Sequence, residues 1–225
     1  MNCIQTKICG ITLVADAVAA LEAGAEAIGL NFYAKSKRFV SVADAKAIAE
    51  SVQGQMAIVG VFVNASVERI CEVASAVGLS HVQLHGDEQP AILESLRGRL
   101  PDTKFIRAIR VREDDLRTAQ LEIDDWQISG VNLVLLDAAS LEGFGGTGTQ
   151  LDWQQLEKLE LTVPWLLAGG LTPQNVGNAI SLCYPDGVDV ASGVETEPGI
   201  KSNRLSAEFV SNANTELSNN ARKNR

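Results

Sequence analysis

The stretch Ile4-Gln5-Thr6-Lys7-Ile8-Cys9-Gly10-Ile11-Thr12, residues 4–12, decides between two α/β folds. It begins as a strand-like apolar run, Ile4–Cys9, and turns into an alanine-rich helical pattern over Leu13–Ala23, with Thr12 as a candidate N-cap. An open doubly wound sheet would need a glycine-rich turn after its first strand. The turn Cys9-Gly10-Ile11-Thr12 is not of that kind, which favours a barrel.

The rest of the chain repeats the same strand-then-helix unit. Short apolar runs alternate with longer amphipathic patterns that follow capping residues such as Ser41 and Ser66. The strand candidates are Ile4–Cys9, Ala27–Phe32, Ala57–Val63, His81–Leu84, Lys104–Ile109, Asn132–Asp137, Pro164–Ala168 and Val188–Ser192. About eight such units predict a single-domain α/β protein with a (β/α)8 TIM barrel; the doubly wound sheet is the alternative.

Two parts of the chain differ in character. We assign residues 1–211 to the barrel, which is the catalytic domain if the protein is an enzyme. Residues 212–225 are polar, contain few apolar residues and show no period, so we expect a flexible C-terminal tail.

The composition excludes some classes of partner. The chain of 225 residues carries a net charge of −9, which disfavours nucleic acid and an anionic membrane surface. A small anionic substrate remains compatible with this charge, because a few local cations and backbone amides can hold a phosphate.

The four cysteines form no C-x-x-C pair, and neither histidine has zinc-ligand spacing to them. The sequence therefore predicts no metal site. It also contains no signal peptide and no apolar run of membrane-spanning length. We expect a cytoplasmic protein with free thiols.

A barrel places its functional residues at the carboxyl ends of the strands. Those ends carry a polar set: Cys9, Asn31, Asn64, His85, Arg107 or Arg110, Asp137, Gly169–Gly170 and Ser192–Gly193. Asp137 follows a long apolar run, so desolvation should raise its pKa and suit it to general acid catalysis. A helix N-cap or a loop hydrogen bond is the alternative for Asp137. Cys9 is either a base or nucleophile, or a residue that only packs in the core.

Three glycine-containing turns are candidates for binding phosphate, because glycine lets backbone N–H groups approach an anion. They are Gly145–Gly148, which includes Gly146 and Gly148, then Gly169–Gly170, and then Ser192–Gly193. The basic loop Tyr33–Phe39 is either a solvated surface loop or a mobile arm whose Arg38 binds a carboxylate in bidentate fashion.

Taken together, these motifs resemble phosphoribosylanthranilate isomerase of tryptophan biosynthesis, from residue 4 to about residue 210. The motifs that carry the resemblance are KICGIT (7–12), FYAKSKRF (32–39), GVFVN (60–64), VQLHG (82–86), LLD (135–137), GGTG (145–148), AGGL (168–171) and VDVASGVE (188–195). One departure is visible in Pro198-Gly199-Ile200-Lys201-Ser202, where the family often has aspartate at the position of Ser202.

The resemblance implies a cofactor-free Amadori rearrangement of N-(5-phosphoribosyl)anthranilate by a monomeric or dimeric barrel. It assigns the general base to Cys9, the general acid to Asp137 and the anthranilate carboxylate to Arg38. His85 is expected to contact substrate, and the glycine turns are expected around the phosphate. Two alternatives are another sugar-phosphate barrel enzyme, which should have a carboxylate in place of Cys9, and an inactive scaffold barrel, which should lack one of the two catalytic groups.

The position of Lys7 in the first strand supports a prediction that does not depend on the resemblance. Residues two apart on a strand face the same side, so Lys7 should point into the barrel below Cys9. The last strand closes the barrel beside the first, so we expect a buried pair of Lys7 with Asp189. With Gln83, this pair is assigned to the layer just behind the site. Lys7 either favours the Cys9 thiolate or only fills the barrel floor.

Overall fold

Eight parallel strands close into one barrel in the computed structural model, which describes residues 4–138 and 153–223. The strands are β1 (Thr6–Cys9), β2 (Ala27–Asn31), β3 (Ala57–Phe62), β4 (His81–Leu84), β5 (Lys104–Arg110), β6 (Leu133–Asp137), β7 (Trp165–Ala168) and β8 (Gly187–Val190). They follow each other around the barrel in chain order, and β1 pairs with both β2 and β8. The predicted (β/α)8 barrel is confirmed.

Helices connect the strands and cover the outside of the barrel. They are α1 (Val14–Glu22), α2 (Val42–Ser51), α3 (Val67–Val77), α4 (Ile92–Arg99), α5 (Leu116–Ile128) and α6 (Val176–Cys183). Ser41 and Ser66 cap α2 and α3 as predicted, each accepting a backbone N–H from the first turn. The N-cap of α1 is Leu13, so the prediction for Thr12 is wrong. The Thr12 hydroxyl instead donates to the carbonyl of Gly199, 2.6 Å away.

Side chains along each strand point alternately outward and inward, which gives the protein two separate hydrophobic cores. Ile8, Val82 and Leu136 lie in the layer between strands and helices. Ala108 and Leu135 pack inside the barrel. The residues on either side of Ile8 in β1 therefore face the barrel interior.

The chain after β8 forms a hairpin of β9 (Glu195–Glu197) and β10 (Ile200–Lys201), followed by a long helix, α7 (Asn203–Lys223). α7 packs on α1 and α6. The prediction of an aperiodic tail from residue 212 is wrong, because Ala213, Leu217 and Asn220 are buried at helical spacing. Ser202, the departure from the family pattern, accepts the backbone N–H of Leu205 at the start of this helix.

Candidate active site

The barrel brings the carboxyl ends of its strands to one rim, where most of the predicted site residues lie. Cys9 ends β1 and Asp137 ends β6, while His85 and Gly169 directly follow β4 and β7. Asp137 continues the series of β6 residues that point inward, since Leu133 and Leu135 lie in the inner core.

The Cys9 side chain lies over Gly29, its register partner in β2. A Cβ added to Gly29 would stand 2.6 Å from Cys9 Sγ, far inside van der Waals contact. Glycine at this position therefore leaves the space that the thiol occupies. The thiol is only partly exposed.

The predicted pair of Lys7 with Asp189 is confirmed. The two residues are register partners in β1 and β8, and Lys7 Nζ donates to Asp189 Oδ1 at 2.9 Å. Lys7 is fully buried. Burial disfavours its charge, but the Asp189 carboxylate and the sulfur of Cys9 outweigh that effect and raise the pKa of Lys7.

Several groups act on the acidity of Cys9. Burial raises the pKa of the thiol, and the Asp189 carboxylate adds to the rise. Lys7 and Lys201 oppose it, because each cation favours the thiolate. The pKa of Cys9 is raised overall, so the thiolate, once formed, is a stronger base than an ordinary one.

Arg38 lies beside Cys9, and its side chain passes over Gly10. A Cβ on Gly10, which has a φ of +76°, would collide with Arg38 Cδ. Nε and Nη2 of Arg38 both donate to the Glu195 carboxylate, each at 2.7 Å. The structure thus shows a carboxylate in bidentate contact with Arg38, and that carboxylate is the protein's own.

Sequence analysis missed Lys201 and Glu195 as parts of this site. Lys201 Nζ donates to the carbonyl of Cys9 at 2.7 Å, to the carbonyl of Ala191 at 3.1 Å and to Glu195 Oε1 at 2.8 Å. The side chains of Lys201 and Glu195 are 1% and 5% exposed. The signal available in the sequence was a lysine in a family motif, which by itself does not say what the lysine contacts.

Asp137 lies next to His85, with 3.8 Å between Oδ2 and Nε2. On the other side of the ring, Gln83 Nε2 is 2.9 Å from His85 Nδ1. Gln83 is fully buried. An amide N–H donated to Nδ1 leaves the proton of a neutral imidazole on Nε2, the nitrogen that faces Asp137.

The predicted phosphate turns adjoin one another. Gly169 and Gly170 have φ values of +93° and +64°. Gly193 lies so close to the carbonyl of Leu171 that a Cβ could not be placed there. Ser192 begins a single 3₁₀ turn, Ser192–Val194. The backbones of the turns after β7 and β8 are therefore in direct contact. Gly146 and Gly148 lie outside the described residues.

Arg107, one of the two arginines predicted at the end of β5, does not point into the barrel. It lies on the outer face of β5, where Nη1 donates to Glu88 Oε2 at 2.8 Å and Nη2 to Glu122 Oε1 at 2.7 Å. Its guanidinium also lies over the Trp126 ring, 4.8 Å from the centroid. Alternation explains this placement, since Ile106 and Ala108 take the inner positions. Arg107 stabilises the loop that follows His85.

Asn31 and Asn64 organise loops. Asn31 Oδ1 accepts the N–H of Tyr33, and Asn64 Oδ1 accepts the N–H of Asp87. The Asn31 bond is the local one expected of a turn residue, whereas the Asn64 bond joins the loop after β3 to the loop after β4.

Residues 4–138 and 153–223 contain neither a cluster of metal ligands nor a membrane-spanning helix. No three histidine, cysteine or acidic side chains there lie close enough to hold a metal ion. No helix in those ranges has the length and apolar character needed to cross a bilayer.

Known proteins similar to this chain share its length and its fold. The family model of N-(5'-phosphoribosyl)anthranilate (PRA) isomerase matches residues 6–212. The N-(5'-phosphoribosyl)anthranilate isomerase of Pseudomonas fluorescens is 45% identical over 212 residues, which cover 93% of this chain and 95% of the relative.

Two solved structures give the same comparison in three dimensions. The phosphoribosyl anthranilate isomerase from Thermotoga maritima has a TM-score of 0.80 at 37% identity, covering 95% of this chain and 100% of that one. A phosphoribosyl anthranilate isomerase in complex with reduced 1-(o-carboxyphenylamino)-1-deoxyribulose 5-phosphate has a TM-score of 0.77 at 35% identity, with the same coverage.

Proposed function

The chain belongs to the N-(5'-phosphoribosyl)anthranilate isomerase family, and on that premise we propose that Cys9 and Asp137 are the general base and general acid of its reaction. The reaction is the Amadori rearrangement of N-(5-phosphoribosyl)anthranilate to 1-(2-carboxyphenylamino)-1-deoxyribulose 5-phosphate in tryptophan biosynthesis. The observation that carries this assignment is a thiol at the end of β1 and a carboxyl group at the end of β6, both on inward-facing positions of one rim.

The first proton transfer opens the ribose ring. Asp137 in its acid form gives a proton to the ring oxygen, the bond from C1 to that oxygen breaks, and an iminium forms between C1 and the anthranilate nitrogen. His85, 3.8 Å away, presents its Nε2 to the same carboxyl group. After the transfer, a proton on Nε2 stabilises the new Asp137 carboxylate.

The second proton transfer moves the double bond. The iminium makes the proton on C2 acidic, and the Cys9 thiolate removes it, which gives an enolamine. Loss of the 2-hydroxyl proton and protonation of C1 then give the ketone, so that no atom is gained or lost overall. The raised pKa of Cys9 makes its thiolate a strong base, and the cations of Lys7 and Lys201 limit the cost of forming it.

Two charged groups of the substrate, the anthranilate carboxylate and the phosphate, need binding sites of their own. A guanidinium has five N–H donors. Glu195 takes two of those of Arg38, through Nε and Nη2, and we place the anthranilate carboxylate on donors that remain at Nη1 and Nη2. We place the phosphate on the backbone of the turns at Gly169–Gly170 and Ser192–Gly193, with Gly146 and Gly148 as further candidates.

The test is conversion of phosphoribosylanthranilate by the purified chain and by two variants. Cys9→Ala and Asp137→Asn should each lower kcat at least ~100-fold, the scale of a positioned proton transfer, with little change in KM. Cys71→Ala is the matched control, because Cys71 is buried in the outer core, away from the rim. A variant that keeps more than about a tenth of the wild-type kcat would refute the role of its residue.

A further inference from the structure

Lys201 is a buried cation that joins three parts of the site. Lys201 comes from the hairpin after β8, yet its ammonium contacts the last residue of β1, the last residue before the Ser192 turn, and Glu195. A lysine buried to this degree is rare unless its charge is paired. These three contacts use all three donors of the ammonium.

Glu195 is the second half of this arrangement. Its Oε1 accepts from Arg38 Nε, from Lys201 Nζ and, at 3.2 Å, from the N–H of Gly199. Its Oε2 accepts from Arg38 Nη2. One carboxylate therefore joins the residue that we place on the substrate's carboxylate to the residue that holds the backbone of Cys9.

We propose that Lys201 and Glu195 are positioning residues that couple the carboxylate site at Arg38 to the base Cys9. This inference rests on the proposed function. Glu195 fixes the plane of the Arg38 guanidinium, so that its remaining donors point in one direction. Lys201 holds the carbonyl of Cys9 and adds a positive charge near the thiol, while Glu195 offsets part of that charge.

The charges around Cys9 make this coupling testable. In the described ranges, the charged groups coupled to Cys9 are Lys7, Asp189, Arg38 and Lys201, and Glu195 accepts hydrogen bonds from the last two of these. Removing Lys201 takes a positive charge away from the thiol. Removing the negative charge of Glu195 leaves the positive charges of Arg38 and Lys201 without their partner. The two changes should therefore move the titration of Cys9 in opposite directions, which a purely structural role would not do.

The experiment measures the pH dependence of iodoacetamide alkylation of the Cys9 peptide by mass spectrometry, together with kcat and KM. Lys201→Met should raise the alkylation midpoint by about 0.5–1 pH unit, and Glu195→Gln should lower it by a similar amount. Glu195→Gln should also raise KM by ~10-fold, because the bidentate support of Arg38 is lost. The double variant should return the midpoint close to that of the wild type, and Lys46→Met, at an exposed position, should not move it.

Midpoints that stay unchanged, or that move in the same direction in both single variants, would overturn the proposal. If Lys201→Met does not fold, the isosteric variant Glu195→Gln is sufficient to test the proposal. A Cys9 alkylation midpoint that stays constant or rises in Glu195→Gln refutes the coupling. A wild-type chain that does not convert the substrate refutes the proposed function. An active chain with unshifted Cys9 titration in the variants refutes only this inference.

Discussion

The thiol of Cys9 lies directly against the backbone of Gly29, where an added methyl group would stand 2.6 Å from the sulfur. Gly29→Ala should therefore displace the thiol and lower kcat by ~10-fold or more, with little effect on KM, because misplacement of a reacting group is costly. Gly98→Ala is the control, since a Cβ there meets nothing within 4 Å. Wild-type kcat in a folded Gly29→Ala variant would show that the position of the thiol is not critical.

Arg38 should govern binding of the anthranilate carboxylate without governing binding of phosphate. Arg38→Ala removes a charge-assisted bidentate contact, so KM should rise by at least ~10-fold. Arg38→Lys should restore only part of the loss, because an ammonium lacks the planar fork. Competitive inhibition by inorganic phosphate should stay nearly constant in both variants. An equal loss of phosphate inhibition would instead assign Arg38 to the fold or to the phosphate site.

Lys7 should favour the Cys9 thiolate from below. In Lys7→Met the cation is gone and the Asp189 carboxylate is left without its 2.9 Å partner, so the pKa of Cys9 should rise. The readout is the pH midpoint of Cys9 alkylation. Lys7→Met combined with Asp189→Leu removes both charges and should bring the midpoint back toward the wild-type value. A folded Lys7→Met protein whose midpoint stays or falls would leave Lys7 with a structural role only.

His85 should carry its proton on Nε2 when neutral. Gln83 Nε2 lies 2.9 Å from His85 Nδ1, and an amide donor at that position selects this tautomer. The chain has two histidines, so ¹⁵N NMR of the imidazole nitrogens can identify each one. Gln83→Met should weaken the preference and lower kcat, while His81 keeps its signals. A dominant Nδ1–H form of His85 in the wild type would show that Gln83 presents its Oε1 to Nδ1 and accepts a hydrogen bond there instead of donating one.

His81 should make the fold less stable at mildly acidic pH. Burial, and then the charges of Lys104 and Lys7, lower the pKa of this histidine from 6.5 to about 4. Between these pH values the unfolded chain binds more protons, so the free energy of unfolding falls as the pH is lowered through that window. The loss is on the order of 3 kcal/mol at its full extent.

The check on this effect is urea unfolding at several pH values. His81→Gln should flatten the dependence between about pH 6.5 and pH 4, leaving the part that comes from carboxylates. A variant with the same slope as the wild type in this range would contradict the role of His81.

Part of this site could be predicted from the alternation of side chains along strands and from closure of the barrel. The rest depends on contacts that only the folded chain shows. The Lys7–Asp189 pair could be predicted, because alternation along a strand and closure of β8 on β1 fix it. Alternation also explains why Arg107 faces outward, once the inner positions of Ile106 and Ala108 are known. Lys201 reaches Cys9 across 192 positions of the chain, and only the folded hairpin brings it there.

The C-terminal helix shows a different limit of sequence reasoning. Its polar composition predicts no stable element, yet Ala213 and Leu217, four residues apart, are buried in a helix that packs on α6 and α1. Most of the stability of a helix comes from such packing and not from intrinsic propensity. The packing partners lie elsewhere in the chain, so the segment by itself gave too weak a signal.

The burial that raises the pKa of Cys9 also bears on the chemical durability of the protein. Peroxides and other oxidants attack thiolates, and a neutral thiol reacts slowly. The raised pKa leaves a smaller fraction of Cys9 in the thiolate form, which slows its oxidation. Cys183 has the same protection in the outer core, where burial raises its pKa to about 12. The environment that makes the Cys9 thiolate a strong base thus also lowers the reactivity of this cysteine toward oxidants.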